Sequence, residues 1–279
     1  MKSNYLCALV AAFMAGQALA AEPGTPGGIP PSEQQAKAVL EKSPRHGEWV
    51  QIEVPGRQTP VKAYIVYPEV KDKAPVVIVI HEIFGLSEWI RSVADQLAAD
   101  GFIAIAPDLL SGMGKDGGGT DSYASRQDVT RAVSGLPRDR VIADLNAVRD
   151  YAIKLPAADG KSATIGFCWG GGQSFAYAAA QPALNAAAVY YGTPPARQAM
   201  ANIQAPVMGF YGGNDARVTS TVTPTESNMK ALSKSYVAHV YDGAGHGFLR
   251  AQEGQSSANL TAAQQAWPAT VAFLREHTK

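Results

Sequence analysis

Apolar residues in this chain fall into short runs separated by segments with a helical period, and the alternation is sustained from about residue 49 to the end. Segments 49–54 and 61–67 alternate apolar and polar positions around Pro55-Gly56-Arg57, which predicts an antiparallel opening hairpin. Residues 75–80 follow as Pro-Val-Val-Ile-Val-Ile, the pattern of a strand covered on both faces. The pattern then predicts a helix over 87–99, a strand over 102–107, a helix over 139–154 and a strand running into Cys168. Strands over 186–191 and 206–211, a helix over 227–235, a strand over 236–241 and a closing helix over 258–277 complete the series. Strands alternating with helices predict an α/β fold: an open, mostly parallel doubly wound sheet with helices on both faces, in a single domain.

One stretch breaks the rhythm. Residues 109–134 form a long excursion containing Gly117-Gly118-Gly119, placed after a strand end, where α/β folds build substrate sites. The triple glycine lacks the Lys-Ser/Thr of a phosphate-binding loop, so a mobile loop is expected rather than a nucleotide cradle.

Composition narrows the partners. The chain's 24 basic and 24 acidic residues balance over 279 positions, and no basic cluster stands out. That gives no electrostatic case for nucleic acid and none for an anionic membrane surface as partner. No His/Cys cluster has metal-ligand spacing, and no cofactor is expected.

The N-terminus carries an export pattern. Lys2 supplies a positive charge, residues 6–16 an apolar core, and Ala18-Leu19-Ala20 a small-x-small cleavage site. The apolar run is shorter than the ~20 residues a span requires, so a signal peptide over 1–20, cut after Ala20, is expected. A periplasmic or secreted monomer follows, free of the membrane after cleavage and sent by the general secretory route, since no twin-arginine pair is present. Residues 21–43, rich in Pro and Gly, read as a flexible leader with a short helix near 33–42, and 44–279 as the domain. Cleavage would remove Cys7 and leave Cys168 as the single thiol, unable to form an internal disulfide.

Cys168 lies in Thr164-Ile165-Gly166-Phe167-Cys168-Trp169-Gly170-Gly171, a buried strand, a glycine-bracketed turn and a small-residue helix start. This resembles the nucleophile elbow of the α/β-hydrolase fold, with cysteine in place of serine. A helix N-terminus there would favour a thiolate. Taken alone, Cys168 reads equally well as a small buried hydrophobe. Two later segments add an acid and a base: Tyr211-Gly212-Gly213-Asn214-Asp215 and Gly243-Ala244-Gly245-His246-Gly247-Phe248. Nucleophile, acid and histidine in that order, each just after a predicted strand, are the arrangement of a hydrolase triad.

With His81-Glu82-Ile83-Phe84-Gly85 and Ala106-Pro107-Asp108-Leu109 added to these motifs, the chain resembles a dienelactone hydrolase from about Val61 to its C-terminus. The resemblance implies hydrolysis of a small, anionic lactone or ester through a thioester acyl-enzyme. It makes Cys168 the nucleophile, His246 the base and Asp215 the group that orients it. It gives the oxyanion hole to the backbone N–H groups of Ile83 and Trp169. Glu82 would control ionisation of the resting thiol, although a strand-end carboxylate bonded to backbone is its plainer reading. Arg126 and Arg250 would hold the substrate's carboxylate, a task suited to guanidinium forks, or else be solvated surface charges. His81 is expected to be structural. The chain departs from the family in having Gly247 where a serine follows the histidine, and Thr130 and Val133 where aromatic pocket residues stand. A broad carboxylesterase using the same triad is the nearest competing reading. A hydrolase-fold binding protein without turnover is the competing reading from another class. A thiol oxidoreductase fails for want of a Cys-x-x-Cys pair.

Overall fold

A computed structural model describes residues 21–279; the signal-peptide expectation falls on residues outside that range. Eight strands form one sheet in the order β1-β2-β4-β3-β5-β6-β7-β8. After a short helix α1 (Ala36–Lys42), β1 (Gly47–Ile52) and β2 (Val61–Val66) make the expected antiparallel hairpin. β2 joins β4 (Ile103–Pro107) antiparallel, and from there β3 (Ala74–Ile80), β5 (Ala158–Phe167), β6 (Ala186–Tyr190), β7 (Val207–Gly212) and β8 (Tyr236–Tyr241) run parallel.

The continuous apolar run in β3 has a direct cause. Val77 and Val79 enter a core shared with Trp89, Val93 and Leu97 of α2 (Glu88–Ala99), while Val76, Ile78 and Ile80 enter another on the opposite face. A strand buried on both faces has no position left for a polar residue. The second core also takes Leu145 and Val148, and then Phe175 and Ala178.

In the long excursion the sequence misses a helix. α3 (Arg126–Ser134) begins where the Ser125 side chain accepts a hydrogen bond from Asp128 N–H at 3.1 Å. Ser-x-x-Asp is a capping signal visible in the sequence, but it was hidden by the glycine-rich residues before it. Nor does the triple glycine lie free. Asp108 accepts from Thr120 N–H and Thr120 Oγ1 at 2.7 and 2.8 Å, and its carboxylate lies 2.1 Å from where a Cβ on Gly119 would sit. α4 (Arg138–Ala152) and α5 (Trp169–Ala180) then cover the second core. The short helices α6 (Arg197–Met200) and α7 (Ala216–Thr219) follow β6 and β7, and α8 (Val222–Ala231) starts five residues before the expected 227. Pro224 lies in its first turn, where a missing N–H costs no helical bond. α9 (Ala258–His277) closes the first core with Trp267.

The expected flexible leader is corrected by the contacts it makes. Gly24 N–H donates to Gln96 Oε1 at 2.7 Å and Gly27 N–H to Asp100 Oδ1 at 3.1 Å. Pro31 O accepts from Trp89 Nε1 at 3.0 Å, and Pro30 O from Gln252 Nε2 at 2.8 Å. Side chains of α2 and its C-cap, with Gln252 in the loop before α9, give the Pro/Gly segment the partners that its composition conceals.

Candidate active site

The C-terminal ends of the parallel strands collect the chemistry, as the crevice rule for open α/β sheets requires. Glu82 follows β3, Cys168 follows β5, Asp215 follows β7 and His246 follows β8.

Cys168 has φ +54° and ψ −115°, a conformation a non-glycine residue adopts only when its surroundings impose it. Two close approaches impose it here. A Cβ on Gly166 would lie 2.0 Å from Gly170 O, and one on Gly170 would lie 2.3 Å from His81 O. The elbow therefore needs glycine at both positions, and it lifts the thiol clear of the sheet at the start of α5. Cys168, Trp169, Ile83 and Tyr191 share the lining of a cavity of about 510 Å³, with Arg138 and Arg217 at its wall. Neither arginine was singled out in the sequence, and neither has a motif around it to find it by.

On the other side, His246 Nδ1 stands 2.5 Å from Asp215 Oδ2. The loops that carry them are stitched together. Gly213 N–H donates to Tyr241 O at 2.8 Å, and Asn214 N–H to Ala244 O at 2.9 Å. Buried Asn259, at the start of α9, accepts from Gly245 N–H at 2.8 Å and donates to Ala251 O at 2.7 Å. Asn259 thus clamps the histidine loop from both sides, a role invisible to local sequence reasoning. The Tyr191 ring lies 5.1 Å from the His246 ring, and the same tyrosine faces the cavity of Cys168, so the base and the nucleophile flank one side chain.

The helix start and the buried carboxylate act on the thiol in opposite directions. Burial pushes the Cys168 thiol up, and the carboxylate of Glu82 adds to that; the Trp169 backbone N–H, Arg217 and Arg250 pull the other way without prevailing. The backbone N–H at the helix start favours a thiolate, but desolvation outweighs it and holds the thiol above its ordinary pKa. Glu82 is itself buried, and desolvation pushes its carboxyl up to about 7 against the pull of Arg250 and Arg126. Arg250 Nε lies 2.8 Å from Glu82 Oε2 but off the N–H axis, so this is a charge contact rather than an aligned hydrogen bond.

His81 is structural in this arrangement. Its Nδ1 donates to Glu82 O at 2.7 Å, its Nε2 accepts from Leu109 N–H at 3.4 Å, and its ring stacks on Trp169 at 5.5 Å. Burial lowers its pKa, so the neutral imidazole holds Glu82 and Trp169 in place.

Arg126 and Arg250 do come together, beside Phe84 and on the same Glu33 carboxylate. Their guanidinium carbons lie 3.6 and 5.2 Å from the Phe84 ring centre. Both are already paired: Arg126 Nη2 is 2.9 Å from Glu33 Oε1, and Arg250 Nη1 contacts Glu33 Oε2. Among the described residues no group of three or more His, Cys, Asp or Glu side chains could hold a metal. No helix among them is long and apolar enough to cross a membrane.

A family model described as the dienelactone hydrolase family matches residues 61–278. The chain belongs to the dienelactone hydrolase family. A Salmonella typhimurium relative, provisionally named carboxymethylenebutenolidase, is 32% identical over 207 residues, covering 70% of this chain and 76% of that one. One from Escherichia coli with the same provisional name is 30% identical over 236 residues, covering 80% and 85%. Among solved structures, a provisionally named dienelactone hydrolase from Klebsiella pneumoniae superposes with a TM-score of 0.73 at 29% identity, over 83% of this chain and 98% of that one. This dienelactone hydrolase family member is accordingly a hydrolase acting on ester bonds, with the mostly parallel α/β-hydrolase fold.

Proposed function

We propose that the protein hydrolyses small lactones or esters through a Cys168–His246–Asp215 triad and a thioester acyl-enzyme. The observation that carries this reading is the elbow of Cys168, held at φ +54° over the cavity, with the Asp215–His246 pair across Tyr191. Substrate entering the cavity brings its carbonyl to Sγ. His246 takes the thiol proton as the C–S bond forms, and Asp215 holds the imidazole in the tautomer that can accept it. The oxyanion is received by the N–H groups of Ile83 and Trp169, donors typically worth ~3 kcal/mol each. The C–O bond then breaks, His246 returns its proton to the leaving oxygen, and water hydrolyses the thioester by the same steps in reverse roles.

Burial, with Glu82 beside it, keeps the thiol protonated at rest. A buried thiol beside a carboxylate resists oxidation, which requires thiolate, and this suits a chain with an export pattern at its N-terminus. Export, cleavage after Ala20 and a monomeric, periplasmic or secreted product belong to the same proposal.

The second reading, a broad carboxylesterase, gains one observation. The arginine pair expected to select an anionic lactone is occupied by Glu33. The experiment for both readings is a panel of lactones and esters assayed with wild type and Cys168→Ala. Hydrolysis by the wild type should be lost in the variant. Activity above a few per cent in Cys168→Ala would remove the triad.

A further inference from the structure

We infer that Glu33 is a specificity-determining residue: as a built-in carboxylate it fills the subsite formed by Arg126 and Arg250, restricting the enzyme to substrates that present no carboxylate there. This rests on the proposed hydrolysis by Cys168.

The geometry is that of a bound ligand. Each oxygen of the Glu33 carboxylate takes one guanidinium, Oε1 facing Arg126 and Oε2 facing Arg250. Both arginines also face the Phe84 ring, and Arg250 reaches Glu82, whose charge is felt at Cys168. A substrate carboxylate entering here would need the same two forks.

The segment bearing Glu33 is fastened on both sides of the contact. Residues 30–32 are buried. Pro30 O and Pro31 O are held by Gln252 and Trp89, and Glu33 N–H donates to Arg250 O at 2.9 Å. An incoming carboxylate would take over the two guanidiniums only by releasing the Glu33 carboxylate from them, so the exchange adds no ion pair. Because Glu33 lies beyond the proposed cut after Ala20, the mature chain keeps it.

The test uses the mature full chain and two probes of similar size, neutral p-nitrophenyl butyrate and anionic mono-p-nitrophenyl succinate. The readout is the ratio of kcat/KM for the anionic probe to that for the neutral one. Freeing the arginines in Glu33→Gln should raise this ratio ten- to a hundredfold, the usual effect of one charge-assisted bidentate contact. Adding Arg126→Ala to Glu33→Gln should return it. In wild type, Arg126→Ala alone should leave the ratio unmoved, because Arg126 is already satisfied; half exposed, it tolerates truncation even if Glu33→Gln folds poorly. A ratio that falls in Arg126→Ala, or stays flat in Glu33→Gln, overturns the inference. Calorimetry with glutarate separates the two levels of the argument: Glu33→Gln should bind the dianion and wild type should not, whether or not either ester turns over. Absence of turnover with that binding difference present would strike the hydrolysis and spare the subsite; equal glutarate binding would strike the subsite.

Discussion

Glu82→Gln should make the protein's stability less dependent on pH, and the size of the change follows from the burial of this carboxyl. In the native state desolvation sets its pKa at about 7, against an ordinary value of 4.5. Between those two values the native state holds a proton that the unfolded chain has released. Stability contributed by this group is therefore complete below pH 4.5 and is lost as pH rises through 7. At about 1.4 kcal/mol per pH unit, the loss amounts to roughly 3 kcal/mol. Gln keeps the shape and cannot ionise, so it escapes the loss. Urea unfolding of wild type and variant at pH 5, 6, 7 and 8 measures it. The variant's advantage over wild type should grow by roughly 2.5 kcal/mol between pH 5 and pH 8 and level off above pH 7. Parallel stability curves over that range would refute the buried, ionising Glu82 on which control of the thiol depends. The same variant should alkylate faster with iodoacetamide near neutral pH, because the carboxylate that helps push the Cys168 thiol up is gone.

Truncating the clamp on the histidine loop, Asn259→Ala, should lower stability by about 1–3 kcal/mol and kcat/KM by roughly tenfold, since Gly245 N–H is left buried without its acceptor. Thermal unfolding and esterase kinetics read both; unchanged kinetics would show that His246 is held without this contact. N-terminal sequencing of protein recovered from the periplasm or medium should begin at Ala21, and an intact Met1 in a membrane fraction would replace the cleaved signal by an anchor.

Much of this fold is written locally. Residues 75–80 read as a strand with two covered faces and lie in β3, and α9 spans 258–277 as its pattern predicts. The three candidate triad residues were legible for a related reason: each stands at a glycine-marked strand end, a context that sequence displays directly. What escaped depends on distance along the chain. The Ser125 cap of α3 was local but overshadowed by Gly117–Gly119. Glu33 meets Arg250 across 217 positions, and no pattern near either residue points to the other. The leader looked flexible because Pro and Gly carry no side-chain signal, while the groups that fasten it, Gln96, Asp100 and Gln252, lie on other elements. The resemblance named Arg126 and Arg250 together, but Glu33, which contacts both, lay outside the stretch that the resemblance covered.

The central claim is a thioester at Cys168. Mature enzyme mixed with p-nitrophenyl acetate, quenched in acid within the first turnovers and digested, should carry one acetyl group on the peptide containing Cys168. Hydroxylamine at neutral pH should remove it, as it removes thioesters, and Cys168→Ala should show no acetyl group and no burst of p-nitrophenol. Turnover by wild type with the acetyl group on another residue, or a burst retained in Cys168→Ala, would contradict the account.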